Sequence, residues 1–228
     1  MKKLVVLSGA GISAESGIKT FRDADGLWEG HDVMEVATPE GFEKNPELVL
    51  DFYNQRRRQL KEVSPNHAHR MLADLEDSFN VVIITQNVDD LHERAGSTKV
   101  LHLHGELLKA RSVIDRGYVK KWADDLNLGD VNPKGEQMRP HIVWFGEDVP
   151  MMMEAAPEVS SADIILVVGT SMQVYPAAGL VGLAPLDADI FYIDPNPKIN
   201  YELSTSNNLT VIEESATKGI DIFIEKIA

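Results

Sequence analysis

The chain has 228 residues, 22 Lys and Arg against 36 Asp and Glu, a formal charge of −14 and no cysteine. A disulfide framework and a thiolate metal site are excluded, because both need cysteine sulfur. A basic surface for nucleic acid is disfavoured, since neutralising phosphates needs clustered Lys and Arg.

The hydrophobic fraction of 43% and charged fraction of 25% are those of a globular protein, of a length that suits one domain with a small lobe. The apolar run after Met1-Lys2-Lys3 stops at Leu7, too short for a signal peptide. No apolar run approaches the roughly 20 residues that span a bilayer. The expectation is a soluble cytoplasmic protein with no membrane partner.

In chain order, Leu4–Leu7, Val81–Thr85, Val100–His104, Ile142–Trp144, Ile164–Val168, Ile190–Ile193 and Leu209–Ile212 read as strands. Most are continuous Val/Ile/Leu runs, as in strands buried on both faces. Helical patterns fall at Pro46–Val63, Asn66–Ser78, Val149–Val159 and Ala216–Lys226. This alternation predicts an α/β fold, a Rossmann-like doubly wound parallel sheet. Two stretches break the alternation: 31–66, helical without a strand, and 109–138, polar with a turn at Asn132-Pro133-Lys134-Gly135. They predict a smaller lobe formed by two insertions, with the larger lobe built from about 1–30, 67–108 and 139–228.

The first strand ends in Ser8-Gly9-Ala10-Gly11-Ile12-Ser13-Ala14, whose Gly9, Gly11 and Ala14 match a G-x-G-x-x-G/A turn. Glycines there let backbone approach a pyrophosphate. The acid usually found about 20 residues later is missing. A strand, a Gly169-Thr170-Ser171 turn, a second strand and a terminal Asp194 recur late in the chain. Asp194 has two readings, a ribose acceptor or a turn-former before Pro195. Val81–Thr85 empties into Gln86-Asn87-Val88-Asp89-Asp90-Leu91-His92. Ligands of open α/β sheets bind at the carboxyl ends of strands, so three such ends point to a dinucleotide site.

His102 and His104 share one face of an alternating strand, and His104 stands last, where a general base is well placed. A structural histidine is the competing reading. His67, His69, His92, His102 and His104 together raise a metal site, but without recognised ligand spacing. On the helix Pro46–Val63, at about 100° per residue, Val49, Phe52, Tyr53, Leu60 and Val63 form one stripe with Arg56 in its middle. Arg57 and Arg58 are expected to face solvent. Tyr53 and Arg56, three apart, form either a carboxylate receptor or half of an internal salt bridge.

Taken together, the motifs resemble those of the sirtuins, NAD-dependent protein lysine deacylases of the transferase class. The resemblance runs through Gly9–Ile18 and Thr20-Phe21-Arg22, Thr85–His92, His104-Gly105, Arg139–Glu147 and Gly169-Thr170-Ser171. It implies NAD as a consumed co-substrate. Ala10, Gly11, Ser13, Glu15, Phe21, Arg22, Gln86, Asn87, Asp89, Gly169, Ser171, Asp194 and Ala216 would contact it, with His104 as general base and Asn87 beside it. The implied reaction releases nicotinamide, passes through an alkylimidate and delivers the acyl group as O-acyl-ADP-ribose.

Substrate would meet Val143, Phe145, Gly146 and Glu147 by strand addition, and the partner is an acyl-lysine protein or peptide. Tyr53-x-x-Arg56, with Ala24 after Phe21-Arg22-Asp23, resembles the bacterial-type desuccinylase and demalonylase subclass (class III). Succinyl, malonyl and glutaryl groups are therefore expected above acetyl. The family's zinc-binding cysteines are missing, so no zinc is expected, and Val113, Ile114, Tyr118, Val119, Trp122 and Leu126 are expected to pack that stretch. Asp194 is expected to favour NAD over NADP. A monomer is expected. A mono-ADP-ribosyltransferase and a non-catalytic NAD-sensing module remain as alternatives.

Overall fold

The structure, a computed structural model, describes residues 1–19, 27–28 and 30–227, with Leu27 as backbone only. The elements in order are β1 (Lys3–Ser8), α1 (Gly11–Ala14), β2 (Leu27–Trp28), β3 (His31–Asp32), α2 (Val33–Val36), α3 (Pro39–Lys44), α4 (Pro46–Glu62) and α5 (His67–Asp74). Then come β4 (Asn80–Thr85), α6 (Leu91–Ala95), β5 (Val100–His102), β6 (Gly105–Ser112), β7 (Val119–Lys121) and β8 (Met138–Ile142). The chain closes with α7 (Met152–Ser160), β9 (Ile164–Val168), β10 (Asp189–Ile193), α8 (Tyr201–Ser204), β11 (Leu209–Ile212) and α9 (Ala216–Ile227).

Six strands form one parallel sheet in the order β11-β10-β9-β1-β4-β5. The strand period of two sends Val5 and Leu7 of β1 into one core with Val82 and Ile84, and Leu4 and Val6 into another with Val81 and Ile83. Both faces are covered, which is why these strands read as unbroken apolar runs. The strand order reverses at β1, between β9 and β4, and a crevice opens there at the carboxyl ends.

A third core joins α2, α3 and α4 to a three-stranded antiparallel sheet, β7-β6-β8. Three predicted features change here. The strand expected at Ile142–Trp144 lies at Met138–Ile142 and pairs with β6, which the polar reading of 109–138 missed. Residues 31–66 do contain a strand, the short β3. Beyond β8 the chain closes a turn, with the Glu147 N–H donating to Trp144 O at 3.0 Å and Gly146 at φ +87°.

The 109–138 stretch packs through Leu126, which is buried, and through Tyr118 and Trp122. Val113, Ile114 and Val119 instead stay exposed at 39%, 75% and 40%. Hydrogen bonds do the remaining work: Ser112 Oγ and Asn132 Nδ2 both donate to Glu136 Oε2, at 2.6 and 2.7 Å. Lys134 reaches Asp115 at 3.0 Å, and the Gly135 N–H donates to Asn132 O at 2.9 Å, closing the predicted turn. Among the described residues no group of three or more His, Cys, Asp or Glu side chains is arranged to hold a metal ion. No described helix is long and apolar enough to cross a membrane.

The two halves of the main sheet meet backbone to backbone. The Gly11 N–H donates to Gly169 O at 2.8 Å, and a Cβ on Gly11 would lie 2.6 Å from Gly169 Cα. Gly169 has φ +64°, and its Cβ would meet Ile12 N at 2.2 Å. Gly169→Ala therefore combines a left-handed backbone with a backbone clash, and should destabilise the fold by at least about 2 kcal/mol. Thermal unfolding measures this, and an unchanged midpoint contradicts it.

Candidate functional site

Three strand ends, those of β1, β4 and β9, feed one polar cluster. Ser13, on α1, donates through Oγ to Asp89 Oδ2 at 3.1 Å and accepts from Asn87 Nδ2 at 3.2 Å. Gln86 Nε2 donates to Thr170 Oγ1 at 2.9 Å, which joins the end of β4 to the turn after β9. Ser13, Asn87 and Asp89 are all buried. Below them His69 and His92 meet edge to face with ring centroids 4.9 Å apart, and the Ser8 hydroxyl meets His92 Nε2 at 3.0 Å. Burial pushes His69 down to about 4 and His92 well below its ordinary range, so this layer is neutral. Sequence reasoning missed Thr170, and raised His69 only as a metal-ligand candidate. A Thr in the Gly169-Thr170-Ser171 turn was the available signal for the first.

His104 lies at the crevice. Its Nδ1 is 3.0 Å from Gln86 O. A carbonyl only accepts, so Nδ1 carries the proton and Nε2 keeps its lone pair. Burial lowers its pKa and the hydrogen bond to Gln86 opposes that, with a net fall. A neutral imidazole with an unprotonated Nε2 is the form a general base requires.

Other predicted contacts fall differently. Gly11 and Ala10 form the first turn, but the amides of Gly9, Gly11, Ile12 and Ser13 are all spent on internal carbonyls. The glycines thus serve close packing at the crevice. Glu15 turns its carboxylate to the start of α9, accepting from Thr217 N at 3.0 Å, Thr217 Oγ1 at 2.6 Å and Ser215 Oγ at 3.1 Å. Ala216 sits in the core beneath that junction. Asp194, buried at the end of β10, accepts from Asn196 N at 2.9 Å, and Ser171 is half-buried. Phe21, Arg22 and Ala24 lie outside the described residues.

On α4, Tyr53 is fully buried in an aromatic cluster with Phe52, Trp28 and Trp144, and Arg56 lies over the Phe52 ring at 4.5 Å. Trp144 Nε1 donates to the Tyr53 hydroxyl at 2.9 Å. The phenol is thereby an acceptor on one side and keeps its proton for another partner. Desolvation pushes its pKa up, so it stays neutral. Arg57, expected in solvent, is fully buried and donates to Leu107 O and Asn54 Oδ1 at 3.0 and 2.9 Å. The reason is that α4 is covered on a second side by β6 and the 126 loop. Arg58 does face solvent, paired with Asp125.

Val143 N donates to His104 O and Phe145 N to Ala37 O, both at 2.9 Å. Glu147 is held by Arg111 and Arg139 and accepts from Trp144 N at 2.9 Å. Both backbone groups of Trp144 are therefore used inside the turn, so strand addition along 143–147 loses that residue. Phe145 and Gly146 remain exposed.

A doubly wound sheet with a neutral imidazole and polar strand ends at its crevice has the form of a dinucleotide site. The Sir2 family model matches residues 9–176, and the chain belongs to that family. It is 61% identical to an NAD-dependent protein deacylase of Helicobacter pylori (strain ATCC 700392 / 26695), with 100% of this chain and 98% of that protein covered. It is 51% identical to an NAD-dependent protein deacylase of Bacteroides thetaiotaomicron, over 97% and 96% of the two chains. A Sir2 homologue–NAD complex superposes with TM-score 0.88 at 37% identity, covering 99% and 89%. A substituted Sir2 with a deacetylated p53 peptide and 3′-O-acetyl ADP ribose superposes with TM-score 0.82 at 28% identity, covering 98% and 92%.

Asp89 carries a measurable cost. Burial raises its pKa to about 6 from 3.8, against hydrogen bonds from Leu91 N and Ser13 that lower it. The folded state then binds the proton more tightly than the unfolded chain, so stability falls as pH rises from 3.8 through about 6. The loss is on the order of 3 kcal/mol. Asp89→Asn should flatten this decline when unfolding free energies at pH 5 and pH 7.5 are compared. An unaltered decline contradicts the assignment.

Proposed function

We propose that this chain removes carboxylate-bearing acyl groups, succinyl foremost, from protein lysines. It is an NAD-dependent protein deacylase, and acyl selectivity is the finer part of the reading. The observation that carries it is the Tyr53–Arg56 pair on one side of α4, one member a buried neutral phenol with its proton to give and the other a guanidinium over an aromatic ring. The two supply a neutral and a charged donor to a carboxylate, in surroundings that strengthen both.

The donor set at the crevice fits a dinucleotide. Ser13, Gln86, Asn87 and Asp89 offer hydroxyl, amide and carboxylate groups where the strands end. These residues and Asp194 would hold NAD, which supplies a glycosidic bond to nicotinamide as the leaving centre. His104 takes a proton at Nε2, and Gln86 O holds its ring in the productive tautomer. The buried neutral layer of His69 and His92 keeps water from the floor of the site. Phe145 and Gly146, exposed just after Val143, whose N–H donates to His104 O, are the surface against which an acyl-lysine peptide would lie. A carboxylate ligand for an acidic chain also needs the local positive charge that Arg56 brings.

A panel of acetyl-, succinyl-, malonyl- and glutaryl-lysine peptides with NAD tests the preference. The expected order places succinyl above acetyl in kcat/KM. Hydrogen bonds to a charged group contribute about 1.5–3 kcal/mol, so Arg56→Met and Tyr53→Phe should each cut the succinyl-to-acetyl ratio by roughly 10–100-fold. Equal losses on both substrates would overturn the assignment.

A further inference from the structure

The main sheet's ladder ends at the pair Thr85 and His102, followed by one more backbone bond, Leu103 N to Thr85 O at 2.9 Å. Beyond it the contact continues through side chains. His104 Nδ1 reaches Gln86 O at 3.0 Å, and His102 Nδ1 reaches the next carbonyl, Asn87 O, also at 3.0 Å. Two imidazoles two residues apart thus extend the sheet by gripping successive carbonyls of the loop that carries the catalytic cluster.

The two rings differ in one respect. His102 Nε2 is also 2.6 Å from Glu93 Oε1 on α6. A carbonyl accepts only, and so does a carboxylate, so both His102 nitrogens must carry protons for both contacts to exist. The arrangement requires an imidazolium. A neutral ring has one N–H and must release either Asn87 or Glu93. His102 is buried, with 8% exposure, so water offers little compensation.

We propose that His102 is a positioning residue for catalysis: its imidazolium ties Glu93 to the Asn87 carbonyl and so fixes the Asn87 loop, and its deprotonation sets the alkaline limb of the enzyme's activity. Asn87 passes its placement on to Ser13 at 3.2 Å, and Ser13 to Asp89, so a slackened loop disturbs the whole cluster. The charges facing His102 agree with this. Burial lowers its pKa, but the hydrogen bond and charge of Glu93, the Asn87 carbonyl and Glu106 of β6 raise it further, with a net rise. Asp89 on the loop also attracts it, Lys109 of β6 acts on Glu93, and the neighbouring His92 on α6 is neutral.

The pH dependence of kcat/KM, with NAD and the acyl-lysine peptide turned over best, tests the proposal in Glu93→Gln and His102→Gln. Glutamine at 93 still accepts from Nε2 but removes the charge. Activity near pH 6.5 should hold, while the alkaline limb moves down by about one pH unit, roughly tenfold less activity on that limb. His102→Gln should remove the limb and lower kcat more than it raises KM. NMR of the wild-type ring nitrogens supplies a readout independent of turnover and of any variant's folding. Two protonated nitrogens on His102 at pH 7 support the proposal. A neutral His102 ring, or a Glu93→Gln limb coincident with wild type, overturns it.

Discussion

The close approach of two backbone turns governs this molecule. Where Gly11 meets Gly169 at 2.8 Å, no side chain separates the halves of the sheet, and the strand ends crowd into one crevice. Everything polar in the site hangs from that contact. Ser13 follows the first turn by two residues, Thr170 follows the second by one, and Gln86 bridges from β4 to Thr170. A side chain at either glycine would spread the crevice and separate groups that act together.

The crevice is then stiffened by hydrogen bonds whose direction is fixed by chemistry. Gln86 O sets the tautomer of His104, and Ser13 links Asn87 to Asp89. A second chain of contacts runs outward: Arg111 and Arg139 hold Glu147, Glu147 caps the amide of Trp144, and Trp144 donates to Tyr53. The Arg139 guanidinium lies 3.2 Å over the Trp144 ring, a cation on the π face that packs the indole in place. The 144–147 turn and the Tyr53 phenol are therefore joined by one continuous chain of hydrogen bonds, built on the small core.

Much of the main sheet was legible because its strands are buried on both faces, so Leu4–Leu7 and Ile164–Val168 announce themselves as unbroken apolar runs. The site residues at strand ends were legible for the same reason, since polar residues stand out where such a run stops. The antiparallel sheet was not. β6 carries Glu106, Lys109 and Arg111 among its apolar positions, and β7 is wholly exposed, so neither shows a strand's pattern. Arg57 misled because a single-stripe reading of α4 has no place for a helix covered on two sides, where a buried guanidinium is stabilised by the carbonyl of Leu107 and the amide of Asn54. The roles of His102 and Trp144 depend on partners 15 and 91 residues away in sequence, which no local pattern encodes.

The central claim is that one crevice joins acyl removal from lysine to NAD consumption, with His104 as base. The most direct measurement is mass-spectrometric product analysis of a single turnover with a succinyl-lysine peptide and NAD. The account predicts one nicotinamide and one O-succinyl-ADP-ribose for each lysine freed. Free succinate without NAD consumption, or ADP-ribose attached to protein while the lysine stays acylated, would contradict it.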